Sequence, residues 1–321
     1  MSTNINYRNS NKMKKLFIII VLLWSTTSDL FAQQDAQYTQ YMYNTIAINP
    51  AYAGSRGVFS IGALHRSQWV GLEGAPKTQT LNFNTPVSNA VGIGLSLVND
   101  QIGEGTNQDT YIDAAFSYSI KTSNEGKLSF GLKAGGHLLN VDFTKLANYG
   151  AETNLPNIGQ KFSPNFGAGV YYHTNTFYAG LSVPNFIETK HFDTSGQSAS
   201  FLAAERMNWY FITGYVFDLN PNLKFKPAAL LKAVKGAPLQ ADISANFLLQ
   251  EKFSLGMAYR WDAAVSLLMG YQMSDQFMIG LAYDKETTEL GGTQFNDGSF
   301  EIFVRYEFIS KIKKVITPRF F

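Results

Sequence analysis

Four histidines, His65, His137, His173 and His191, are the residues best suited to acid–base or metal chemistry in this 321-residue chain. No two lie at metal-ligand spacing, and there is no HExxH pair on which zinc and a general base could meet. Cysteine is absent, which excludes a thiol nucleophile and Cys-ligated zinc. A Ser/His pairing for lipid hydrolysis is the one catalytic arrangement these residues leave open. Gly92-Ile93-Gly94 and Gly135-Gly136 resemble phosphate loops only in being glycine-rich, and no GxGxxG followed by a helix is present. In strands such glycines mark bends or a close approach of other backbone. The chain is accordingly read as a non-enzyme with no cofactor and no metal.

Two segments stand out for recognition instead. One is Asn49-Pro50-Ala51-Tyr52-Ala53-Gly54 with Ser55-Arg56-Gly57. The other runs from Arg66 to Gln79 and contains Trp69, Leu72 and Glu73. Gly71, Gly74 and Pro76 would bend that loop, with Trp69 anchoring its rim. The functional reading is a partner-binding surface of Trp69, Leu72 and Glu73, an aromatic anchor beside a polar neighbour.

These segments have to be held by the elements around them. After Ser55 about fourteen short segments alternate apolar with polar or small residues. In Ser299 to Phe308, Phe300, Ile302, Val304, Tyr306 and Phe308 share one face while Glu301, Arg305 and Glu307 share the other. Leu239 to Leu249 and Thr110 to Ile120 repeat the rhythm. This pattern predicts an all-β fold, a transmembrane antiparallel up-and-down barrel of about 14 strands, with apolar faces toward lipid and polar faces toward the lumen. Closure is required because bare backbone amides cannot face hydrocarbon. Links after the even-numbered strands are short. Those after the first, third, fifth, seventh and thirteenth read as longer, with 142–163 and 184–207 the longest. Short turns belong in the periplasm and long loops outside, so an even strand count puts both termini in the periplasm. Trp69, Trp209 and Trp261 then fall at exterior strand ends, as an aromatic girdle requires.

The N-terminus reads as an export signal. Lys12, Lys14 and Lys15 precede the apolar run Leu16 to Trp24, and Ala32 is a cleavage point. Residues 1–32 hold four of the 26 basic and one of the 24 acidic residues, leaving 22 against 23. Such balance gives no electrostatic footprint for nucleic acid. Charged residues make up 16% of the chain, below the ~25% of soluble domains, as a lipid-facing belt implies. The expected divisions are a signal over 1–32, an N-terminal segment over 33–56, a barrel over 57–308 and a basic periplasmic tail over 309–321. Gln37 to Ile46 is expected to form about two helical turns, ended by Pro50 and Gly54.

Gln37-Tyr38-Thr39-Gln40-Tyr41-Met42-Tyr43-Asn44, Ala47 to Gly57, Gln68 to Pro76, Val91 to Gly105 and Thr317-Pro318-Arg319-Phe320-Phe321 together resemble the PorP/SprF family of type IX secretion system membrane proteins. The resemblance implies an outer-membrane barrel that works with the type IX machinery to export or hold a large surface adhesin bearing a type B C-terminal sorting domain. It also implies contact with the periplasmic ring of that machinery, and it carries over no catalytic residue. A fourteen-strand barrel has interior room. The segment with Tyr38, Tyr41, Tyr43, Asn49 and Pro50 is placed to enter as a lumen plug. Four basic residues, Lys311, Lys313, Lys314 and Arg319, follow the last strand and could dock a partner. The runner-up function is a FadL-like channel for hydrophobic small molecules, since the Asn49-Pro50-Ala51 element is similar to one in such channels.

Overall fold

Alternation of apolar and polar residues gives each strand one face for hydrocarbon and one for an interior, and such strands satisfy their backbone only by pairing on both edges. The computed structural model describes residues 37–145, 157–188, 190–193, 200–204, 206–293 and 296–309. The expected export signal and nearly all of the basic tail lie outside the described residues. Seventeen strands are described. They are β1 (Phe59–Ser67), β2 (Lys77–Pro86), β3 (Val91–Ile102), β4 (Asn107–Lys121), β5 (Lys127–Val141), β6 (Ile158–His173), β7 (Phe177–Val183), β8 (Lys190–Asp193), β9 (Ser200–Ala204), β10 (Asn208–Tyr215), β11 (Phe217–Asn220), β12 (Leu223–Val234), β13 (Gln240–Leu249), β14 (Phe253–Arg260), β15 (Ala264–Gln272), β16 (Phe277–Glu286) and β17 (Ser299–Phe308). Every pairing is antiparallel, and neighbours in the main sheet follow chain order apart from the β8–β9 hairpin. β17 pairs with β1, and β10 joins β7 to β12. β11 continues β10 beyond Val216, so the wall is a closed ring of fourteen staves. Among the described residues no helix is long and apolar enough to cross a membrane.

The expected faces are observed. Phe300, Ile302, Tyr306 and Phe308 point out and are exposed, while Glu301, Arg305 and Glu307 point in and are buried. Ile112, Phe116, Tyr118 and Ile120 on β4, and Ile243, Phe247 and Leu249 on β13, likewise point out. Trp69, Trp209 and Trp261 sit at one and the same end of the ring, beside the ends of β1, β10 and β14.

Five local expectations are corrected. The link after β3 is short, residues 103–106, because pairing continues past the apolar belt through Asp100↔Asp109 and Gln101↔Gln108, where alternation no longer marks a strand. β6 begins at Ile158, ahead of Pro164, for the same reason. The long link after β7 contains the β8–β9 hairpin, and the stave expected to end at Phe217 breaks at Val216. Residues 39–44 form turns and a bend, and helix in this segment is confined to one turn at Thr45–Ile48 and a 3₁₀ turn at Pro50–Tyr52. The segment takes its hydrogen bonds from the wall, so it does not need a helical ladder.

That exchange of bonds threads residues 37–56 through the ring. Asn44 meets Asn82 on β2. The Ile48 carbonyl accepts from Ser182 on β7 (3.0 Å) and the Ala53 carbonyl from Ser117 on β4 (2.6 Å). Asn49 accepts the Ala51 N–H (3.0 Å), caps the 3₁₀ turn, and donates to the Val170 carbonyl on β6 (3.1 Å). Pro50 opens that turn, where a missing N–H costs nothing. Ala51 is fully buried with its backbone against Gly131 on β5, where any Cβ would collide with it. Gly54 has φ +72°, a conformation that suits glycine.

Gly131→Val should force the Ala51 backbone away and destabilise the folded barrel by about 1–3 kcal/mol, the usual range for overpacking. Gly159→Ala, whose Cβ meets nothing within 4 Å, should be close to neutral. Urea unfolding in detergent, followed by the heat-modifiable shift in gel migration, measures both.

Candidate functional site

The alternating faces bring ionisable side chains into the ring, and burial decides how they must behave. A charge taken out of water needs a partner and hydrogen bonds for its remaining lone pairs or protons. Arg66 on β1 is 1% exposed and bridges Asp284 on β16 (2.7 Å) and Glu301 on β17 (3.3 Å). One cation between two carboxylates leaves acceptor capacity unfilled. The N-terminal segment supplies the donors. The Thr39 and Gln40 N–H groups donate to the two oxygens of Glu301 (2.9 and 2.8 Å), and the Thr39 hydroxyl donates to Asp284 (2.6 Å) while accepting from Arg66 (2.7 Å). Charge-assisted bonds of this kind are about twice as strong as neutral ones.

A second clamp lies beside it. Arg260 on β14 grips Asp242 on β13 through three contacts of 2.9–3.0 Å. Its other guanidinium nitrogen reaches Gln37 (3.2 Å), and it also donates to the Tyr38 carbonyl (3.4 Å). Toward the short-link end Arg56 pairs with Glu307, which also meets Arg305 (3.4 Å). Between these charged layers the Tyr43 ring stacks on Phe303 at 4.8 Å. Removing one member of such a buried pair typically costs about 3–5 kcal/mol, because the other charge is stranded.

The residues singled out in the sequence divide. Tyr38, Tyr41, Tyr43, Asn49 and Pro50 all touch the inner wall or line its cavities. A cavity of about 80 Å³ on the long-link side is bounded by Tyr38, Tyr41, Tyr111, Tyr210, Lys232 and Arg260, among others. The Trp69 indole donates to Glu286 on β16 (3.2 Å), and the Trp69 N–H donates to Ser299 on β17 (3.1 Å). Trp69 thus ties its loop to β16 through its ring and to β17 through its backbone. Leu72 and Glu73 are exposed at the loop tip and make no side-chain hydrogen bond or ion pair among the described residues.

The histidines are dispersed. His65 faces outward and, among the described residues, its ring hydrogen-bonds Ser67 (3.2 Å) and no carboxylate. His137 bonds Asp109 (2.6 Å) and stacks on Tyr111, with Ser163 as its cross-strand neighbour. Among the described residues no group of three or more acidic or histidine side chains gathers to hold a metal. The side chain of His191 lies outside the described residues.

Sequence reasoning missed Arg66, Asp284 and Arg260 as partners of the N-terminal segment. The available signal was a charge at an inward position of a strand, but only the register shows which charges meet.

Among solved structures the chain is similar to the monoaromatic hydrocarbon channel CymD (10% identity over 84% of this chain and 93% of that one, TM-score 0.47). It is also similar to a FadL homologue of Pseudomonas aeruginosa (13%, 83% and 94%, TM-score 0.45) and to the toluene transporter TodX of P. putida (10%, 82% and 93%, TM-score 0.44). No curated protein matches. The family model for type IX secretion system membrane protein PorP/SprF matches residues 30–306, nearly the whole barrel and its inner segment. The chain belongs to the PorP/SprF family of type IX secretion system membrane proteins.

Proposed function

We propose that this barrel is a membrane-held scaffold of the type IX secretion system, neither a conduit nor an enzyme, which exports or anchors a large surface adhesin carrying a type B C-terminal sorting domain. The observation that carries this reading is the occupied interior. Residues 37–56 are fastened to inward side chains on β2, β4, β7, β14, β16 and β17 and to the Val170 carbonyl on β6. Gln40, Asn44, Asn49 and Ala51 are fully buried there. A segment held in this way acts as a plug, and a plugged barrel contributes its rims. The long-link rim, with Trp69 fixing the loop and Leu72 and Glu73 exposed at its tip, is the surface offered to the adhesin. The short-link rim and the basic residues 309–321 face the periplasm and the ring of the secretion machinery. Residues 1–32 direct export, and outer-membrane lipid surrounds the belt.

The alternative, a FadL-like channel for hydrophobic small molecules, needs an apolar path through the ring. The charged clamps around Glu301 and Asp242 and the Tyr43–Phe303 stack stand across the described interior, which favours the scaffold.

Loss of this chain should abolish surface display of the adhesin, read by antibody labelling of intact cells, and leave uptake of toluene-sized solutes unchanged. A uptake defect with normal display would favour the channel. Deleting 33–44 should raise single-channel conductance in planar bilayers, whereas unchanged conductance would count against a plug. Truncation after Ser310 should impair display if the tail docks the machinery.

A further inference from the structure

The short-link mouth of the ring holds a feature that neither lipid contact nor the seating of the inner segment explains. Lys121 at the end of β4 stands directly opposite Lys127 at the start of β5, and Lys127 stands opposite His173 at the end of β6. Alternation from the buried Ser117, Ser129 and Tyr171 puts all three on the inward face. Like charges directly opposite each other in a sheet are destabilising. Neither lysine makes an ion pair among the described residues.

Beside this row lies a cleft of about 440 Å³, lined by Gly54, Val87, Asn89, Gly92, Lys127 and His173, among others. That size falls within the range of pockets that take ligands. Among the described residues no carboxylate lines it, and most of the other liners are small, so a main chain can lie against them. Val87 is 62% exposed at this mouth and adds an apolar contact.

We infer that this cleft docks an extended acidic segment of a soluble protein partner, with a carboxylate held between Lys121 and Lys127. The charge row selects the occupant. Residues 310–321 of this chain carry Lys311, Lys313, Lys314 and Arg319 and no acid, so they have the wrong sign. Lipid phosphate is disfavoured because the three basic side chains face into the ring and the lipid belt lies on the opposite face. The inference rests on the scaffold reading only in taking the partner to be a protein.

Panning a random heptapeptide library on the full chain in zwitterionic nanodiscs tests it. Ala90→Trp, which fills the cleft, and Lys127→Gln serve as counter-targets, each first checked for normal heat-modifiable migration. Peptides selected on the parent protein should carry Asp or Glu at one position at least threefold above library frequency. Each selected peptide should bind at least tenfold more weakly to either variant, and its Gln analogue should bind at least tenfold more weakly to the parent. Selection of no peptide, of uncharged or basic peptides, or of acidic peptides that bind the variants equally well overturns the inference. Displacement of selected peptides by phosphatidylglycerol in the nanodisc would assign the row to lipid and overturn it too. Lost adhesin-display dependence with intact peptide binding would count against the scaffold reading alone.

Discussion

An unpaired backbone amide in hydrocarbon costs several kcal/mol, so a sheet in a bilayer can have no free edge. Closure of the fourteen staves follows from that constraint, and the rest of the structure follows from closure. A ring of this size leaves space that wall side chains alone do not fill. The chain fills it with its own residues 37–56. The pairing of β17 with β1 and of β10 with both β7 and β12 is what allows one segment to reach inward side chains around the ring.

Once inside, the segment and the wall solve each other's problem. Turns such as Thr39–Tyr43 and Pro50–Tyr52 leave backbone groups that a helix would have satisfied internally. Glu301, Ser117 and Ser182 have buried polar atoms that need partners, and the segment's backbone supplies them: the Thr39 and Gln40 N–H groups for Glu301, the Ala53 carbonyl for Ser117 and the Ile48 carbonyl for Ser182. The glycines of the wall are where the fit is closest, as at Gly131 against Ala51. The Asn49–Gly54 motif is therefore accounted for by seating: a cap, a turn-opening proline, a small residue under a strand and a positive φ.

The fold was legible because lipid imposes a period of two on every stave. Phe300 to Phe308, Ile112 to Ile120 and Leu239 to Leu249 announce their faces without any knowledge of neighbours. Legibility failed where that solvent ends. Asp100 and Asp109 pair beyond the belt and carry no alternation, so β3 and β4 run longer than the pattern showed. The site was legible in part. Tyr38, Tyr41, Tyr43, Asn49 and Pro50 stood out by composition. Arg66, Asp284 and Glu301 meet only because β16, β17 and β1 are adjacent in a register that no single strand encodes. Lys121 and Lys127 belong to the same class, two unremarkable charges made significant by being opposite each other.

The central claim is that residues 37–56 are an integral part of the folded barrel. Hydrogen–deuterium exchange of the full chain in nanodiscs tests it most directly. The Thr39, Gln40 and Ala51 amides should exchange as slowly as ladder amides of β2 and β5, because each is buried and bonded to a side chain within the ring. Exchange of those three at the rate of an unstructured peptide, with the ladder still protected, would contradict the account.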